Sequence, residues 1–230
     1  MITYLKDLKR KIKYSYVYRF KELNNPGEYH SIKAFDYYRC VFIHIPKAAG
    51  MSVNKSLFGN YGGSHKTIKF YKNLYHINTF NKYFKFTFVR NPWVRAYSTF
   101  NYLKYGGKNA NERDLTFGRQ HFKDINFETF IMKWLNKESM YSYEHLYPQY
   151  YFLKDENGII CCDFIGKVEN LDVDFKIITK KIGINTKLYE TNTSNRKSND
   201  VLSVYTADMI SKIRELYAED IKLFQYKFNE

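Results

Sequence analysis

No stretch of this sequence has the roughly 18 consecutive apolar residues that a membrane-spanning helix needs, so no transmembrane segment is expected. Cysteine is scarce: there are three, Cys40, Cys161 and Cys162, and none stands in C-x-x-C spacing. An odd set with an adjacent pair makes a poor disulfide framework and suits the reduced thiols of a cytoplasmic protein. The six histidines show no ligand spacing such as H-E-x-x-H, so no metal is expected. The opening residues Met1-Ile2-Thr3-Tyr4-Leu5-Lys6 lack the apolar core of a signal peptide. The phosphate loop of nucleotide triphosphatases, G-x-x-x-x-G-K-[ST], is also missing. Acidic residues are in deficit, 23 against 37 Lys and Arg, which leaves a net charge of +14. A field of that sign attracts polyanions, anionic membranes and anionic cofactors alike.

Aromatic residues, by contrast, are abundant, with 23 Tyr and 19 Phe. Tyrosine buries area while keeping a polar tip, so many are expected at the edge of the core. The length of 230 residues suits one domain with a full core. Residues 1–35 read as a basic arm, with Leu5, Leu8, Ile12 and Tyr16 at helical spacing among lysines. A solvated arm is the expectation, and a weak membrane-surface contact is the alternative. The remaining residues, 36–230, form the main domain.

Residues 40 to 56 organise the rest. Cys40 to Ile45 is a short apolar run that suits a strand buried on both faces. Pro46 ends it. Lys47, Ala48, Ala49 and Gly50 make a small-residue loop, and Met51, Ser52 and Val53 form the first turn of a helix. A helix N-terminus after such a loop favours anions, because its first N–H groups lack intrahelical partners. Lys47 adds a cation and Ser52 a hydroxyl. Pro46-Lys47, two small residues and a serine near the helix start resemble the 5′-phosphosulfate loop of sulfotransferases that use 3′-phosphoadenosine-5′-phosphosulfate (PAPS).

A second anion motif follows. Phe84 to Val89 reads as a strand, Arg90-Asn91-Pro92 breaks it, and Trp93 to Tyr105 restarts as a helix. Arg90 ends the strand and Ser98 lies two turns into the helix. A guanidinium binds oxyanions bidentately and keeps its charge. The block Arg90-Asn91-Pro92-Trp93-Val94-Arg95-Ala96-Tyr97-Ser98 closely resembles the 3′-phosphate motif of the same family. The resemblance implies that Arg90 and Ser98 hold the 3′-phosphate while Lys47 and Ala48 to Val53 hold the 5′-phosphosulfate. Arg95 reads as a structural cation. His145-Leu146-Tyr147-Pro148-Gln149 and Phe164 to Leu171 look like blocks of bacterial relatives of Golgi-type carbohydrate sulfotransferases. On that resemblance Arg196 and Lys197 close over the nucleotide, and solvated loop charges are an equal reading. His145 and Gln149 are expected to position the acceptor.

Strands separated by helical stretches imply an α/β fold: a single domain with a mostly parallel central sheet flanked by helices, P-loop-like in its strand–loop–helix anion site. Ligands in such sheets lie beyond the carboxyl ends of the strands, where Lys47 and Arg90 fall. The function implied is sulfuryl transfer from PAPS to a carbohydrate or polysaccharide hydroxyl, releasing 3′-phosphoadenosine-5′-phosphate (PAP). Lys47 would stabilise the leaving group, and His65, in the Gly62-Gly63-Ser64-His65 loop between the motifs, would be the general base. His145 is the competing base. The rivals are a kinase-like phosphate-loop enzyme, which lacks its glycine loop here, and a basic nucleic-acid binder, which lacks every usual module; no nucleic acid partner is expected.

Overall fold

The computed structural model describes residues 31–62, 65–107, 110–189 and 198–229. Most of the basic arm, with its expected helix, lies outside the described residues, as do Arg196 and Lys197. The chain folds as two compact units. One contains residues 31–45, Ala49–Phe88 and Tyr151–Tyr189; the other contains Pro46–Ala48, Val89–Tyr150 and, of the described residues after Tyr189, 198–229. No helix among the described residues is long and apolar enough to cross a membrane.

The first unit carries the sheet. Helix α1 (Ile32–Tyr38) buries Ile32 and Phe35 and runs across the boundary expected after residue 35. Strand β1 (Cys40–Ile43) is buried throughout, as its unbroken apolar run requires. It pairs in parallel with β2 (Phe84–Val89), Cys40 opposite Phe84 and Ile43 opposite Thr87. Thr87 is buried because its hydroxyl donates to the Ile43 carbonyl at 2.7 Å. Strand β3 (Phe164–Lys167) borders β2, giving the order β1-β2-β3. Helix α2 (Gly50–Phe58) follows the first loop. Residues 66–77, with Ile68, Tyr71, Leu74 and Tyr75 on one side, read from sequence as one helix. The structure has α3 (Ile68–Leu74) there, followed by a second helix, α4 (Ile77–Lys82). His76 caps α4 by accepting from the Asn78 N–H, and the stripe of Ile68, Tyr71, Leu74 and Tyr75 is buried.

The run from Ile159 to Ile165 reads from sequence as the third strand, but the strand is shorter and later. Residues 159–163 do not extend it. Lys154 and Ile160 form an antiparallel bridge after the Asn157-Gly158 turn. Asp163 then docks on β2: its carboxylate accepts from the Lys85 N–H at 2.7 Å, and its own N–H donates to the Lys85 carbonyl at 2.7 Å. Helix α8 (Leu171–Ile182), which the apolar spacing of these residues reads as helical, ends at Gly183 in the left-handed conformation.

The second unit is helical. Helix α5 (Pro92–Tyr105) starts under Asn91, whose side chain accepts from the Trp93 and Val94 N–H groups. Helix α6 (Glu112–Phe122) was not expected: residues 106 to 126 read as a surface loop. It is capped by Asn111, which accepts from the Asp114 N–H at 2.9 Å. A short turn (Phe127–Thr129) continues as a π-helical segment (Phe130–Trp134). Phe100, Phe122, Phe130 and Trp134 form an aromatic cluster there, with Phe122 and Trp134 centroids 4.8 Å apart. Helix α7 (Tyr150–Leu153) begins in this unit and continues in the first. The described residues of the second unit close with α9 (Ser198–Leu202), α10 (Ala207–Leu216) and α11 (Ala218–Phe224). From sequence, Thr206 and the spacing of Met209, Ile213, Leu216, Tyr217, Asp220 and Phe224 read as one capped helix. The structure divides it in two, α10 and α11; Thr206 caps the first, and all six residues are buried.

Candidate active site

Two strand ends open the site. After β1 the chain leaves through His44 and Ile45 into the loop from Pro46. Lys47 and Ala49 both take left-handed backbone, at φ 64° and 58°. Residues with a Cβ rarely do so, and each such residue costs about 1–3 kcal/mol that the surroundings must offset. Ala48 and Val53 are buried, while Met51 and Ser52 are half-buried in the first turn of α2. Gly50 has a reason beyond a close anion approach. A Cβ there would stand 1.8 Å from His44 Cδ2, so the imidazole lies directly on the helix's first residue. His65, half-buried, faces the same imidazole with ring centroids 4.6 Å apart. Its Nδ1 lies 3.0 Å from the His44 carbonyl. A carbonyl only accepts, so Nδ1 is the donor in this bond and Nε2 is the ring's accepting nitrogen.

Within the second unit, Arg90 is braced from both sides of its backbone. Its N–H donates to Gln149 Oε1 at 2.8 Å, and Gln149 Nε2 donates to its carbonyl at 2.9 Å. Gln149 is fully buried, and its own N–H donates to Asp220 at 2.7 Å. Burial raises the Asp220 pKa to about 6, against the pull of Arg95 and the two N–H groups it accepts. Arg95 is also buried and donates to the carbonyls of Pro46, His145 and Tyr147. It thereby fixes the start of the Lys47 loop, in keeping with a structural role. Arg90 Nη1 donates to the Lys47 carbonyl at 3.3 Å. Ser98 is half-buried on α5.

Lys47 itself is half-buried, its Nζ 3.8 Å from the centroid of the Tyr102 ring. Burial first, and then the charge of Arg90, lower its pKa to about 7, with Asp114 pulling the other way. Asp114 accepts from the hydroxyls of Tyr102, at 2.6 Å, and Tyr143. His145 lies in the same cluster, its ring stacked between those of Tyr102 and Tyr143. The charge of Arg90 acts on the Lys47 ammonium, so two cations share one half-buried setting. The family model described as the sulfotransferase family matches residues 30–227, nearly the whole chain. The chain belongs to the sulfotransferase family. An uncharacterised protein of Archaeoglobus fulgidus is 33% identical over 112 residues, which cover 47% of this chain and 75% of that protein. No solved structure matches.

Of the residues expected in this sulfotransferase's site, Lys47 and Arg90 are brought together. The loop residues Ala48 to Val53 follow Lys47 in the expected strand–loop–helix order. Gln149 and His145 were expected to position the acceptor. Gln149 spends its amide on the Arg90 backbone, and His145 is 5% exposed between two tyrosine rings. Asp114 and Tyr102 were not anticipated. Asp114 falls in residues 106–126, whose composition reads as a surface loop, and nothing in the sequence sets Tyr102 apart from the many other tyrosines.

Proposed function

We propose that this sulfotransferase moves a sulfuryl group from PAPS to a carbohydrate hydroxyl. The observation that carries the donor half is the pairing of Arg90 and Lys47, two cations in one half-buried setting whose mutual repulsion a polyanion relieves. In this reading Arg90 and Ser98 hold the 3′-phosphate. Lys47 and the loop from Ala48 to Val53 hold the 5′-phosphosulfate. PAPS supplies the sulfuryl group: the acceptor oxygen bonds to sulfur as the bond from sulfur to the 5′-phosphate oxygen breaks, the electron pair goes to that oxygen, and PAP is released. Lys47 sets its positive charge against the negative charge developing there. His65 takes the acceptor's proton on Nε2, because Nδ1 is committed to the His44 carbonyl. His145, enclosed by aromatic rings, supports the site instead. The carbohydrate class comes from the resemblance of the His145–Gln149 and Phe164–Leu171 blocks to carbohydrate sulfotransferases, and the charge of +14 and the exposed tyrosines Tyr105 and Tyr141, which suit stacking on sugars, agree with it.

The test is transfer of label from sulfur-labelled PAPS across a panel of glycans, phenols and steroids. Glycans are expected to take up the label. His65→Ala should lose at least about a hundredfold in turnover, the lower end for a general base, with PAP binding kept. Transfer confined to phenols or steroids contradicts the acceptor class. The same loss in His145→Ala but not in His65→Ala reverses the two histidines.

A further inference from the structure

A ladder of four rings runs from Lys47 through the second unit. The Lys47 ammonium rests on Tyr102. Tyr102 stacks on His145 at 5.2 Å, His145 on Tyr143 at 5.5 Å, and Tyr143 on Phe117 at 4.3 Å. Successive planes differ by only 21°, 16° and 20°. One carboxylate fastens the ladder. Asp114, 2% exposed, accepts from both tyrosine hydroxyls, on either side of His145, and its Oδ1 lies 4.0 Å from His145 Nδ1. A buried carboxylate is costly unless hydrogen-bonded, and here the bonds fix the two rings that flank the histidine.

We infer that Asp114, acting through Tyr102, is a positioning residue that keeps the Lys47 ammonium charged and seated over the Tyr102 ring. The inference rests on the reading of Lys47 as the group that meets the transferring sulfate. Two effects carry it. A phenol that donates to a carboxylate gains electron density on its ring, and the pull on a cation above that ring grows. The carboxylate also attracts the ammonium through space. The other charged and titratable groups around this pair are Arg90, which opposes the ammonium, Tyr143 and His145, which face Asp114, Arg113, which also acts on Asp114, and Arg95 on α5, which donates to the Pro46 carbonyl just before Lys47. Without Asp114, burial and Arg90 act on Lys47 with no counterweight.

Competitive acetylation of the full chain with acetic anhydride, read by peptide mass spectrometry over a range of pH, reports the protonation midpoint of Lys47 without any turnover. Asp114→Asn keeps the shape of the carboxylate and should lower that midpoint by about one unit, roughly tenfold less ammonium on the alkaline side. Tyr102→Phe keeps the ring, breaks its bond to Asp114, and should shift the midpoint in the same direction by less. The alkaline limb of the turnover profile should move with it. A role in packing alone predicts an unchanged midpoint, and that result in folded Asp114→Asn would overturn the inference. If Asp114→Asn fails to fold, the midpoint in Tyr102→Phe decides in the same way. Full turnover in Lys47→Ala would overturn the reading of Lys47 itself, and the labelling result would still stand or fall by its own midpoint.

Discussion

A lysine that shares its surroundings with a guanidinium cannot keep its ordinary acidity. Burial and then Arg90 bring Lys47 down to about 7. From there up to its ordinary 10.5, the unfolded chain holds more protons at this position than the folded one, so the cost of burying the ammonium is relieved as pH rises through that window. Binding works in the opposite sense. An anionic ligand favours the ammonium, so empty molecules that are neutral at this position gain a proton on binding. Titration with PAP near neutral pH, in two buffers of different protonation enthalpy, should therefore show proton uptake at this site. Lys47→Met should abolish that part of the uptake. Identical uptake in both proteins would mean that Lys47 does not answer to the bound anion.

The helix that carries Asp114 was the least legible element, and its buried face explains why. Asp114, Gly118 and Phe122 recur every four residues and are all buried, yet only Phe122 is apolar. A carboxylate and a glycine stand where an amphipathic helix would show hydrophobic side chains, so the periodic signal is lost. Gly118 is there for contact. A Cβ would lie 1.7 Å from the Leu103 carbonyl, so α5 and α6 meet backbone to backbone. Gly118→Ala must push the two helices apart, and a loss of about 1–3 kcal/mol in stability is expected from overpacking of this kind. Sulfate transfer should fall with it, since Asp114 and Tyr102 sit on the two helices that separate. A denaturant midpoint equal to that of the native chain would show that the contact is not needed. The third strand was misjudged for a related reason. Asp163, within an apolar run, docks on Lys85 and pulls the preceding residues out of the ladder.

Across the molecule, the parts that read clearly from sequence are those where chemistry and chain direction change together. Lys47 and Arg90 each follow a buried strand and precede a helix, and Pro46 and Pro92 mark the change. Both the α/β class and the family followed from those two places. What did not read is the support behind them. Gln149 and His145 lie in an aromatic, proline-containing stretch that suggests a surface, and only the fold shows Gln149 bracing Arg90 and His145 enclosed in the ring ladder. The central claim is that these braced cations form a site for a donor with phosphate at both ends. Calorimetric titration of the full chain with PAP and with AMP tests it most directly. A charge-assisted hydrogen bond contributes about 1.5–3 kcal/mol, so losing even one bond to the 3′-phosphate should weaken AMP relative to PAP by roughly ten- to a hundredfold. Equal affinities for the two nucleotides would contradict the account.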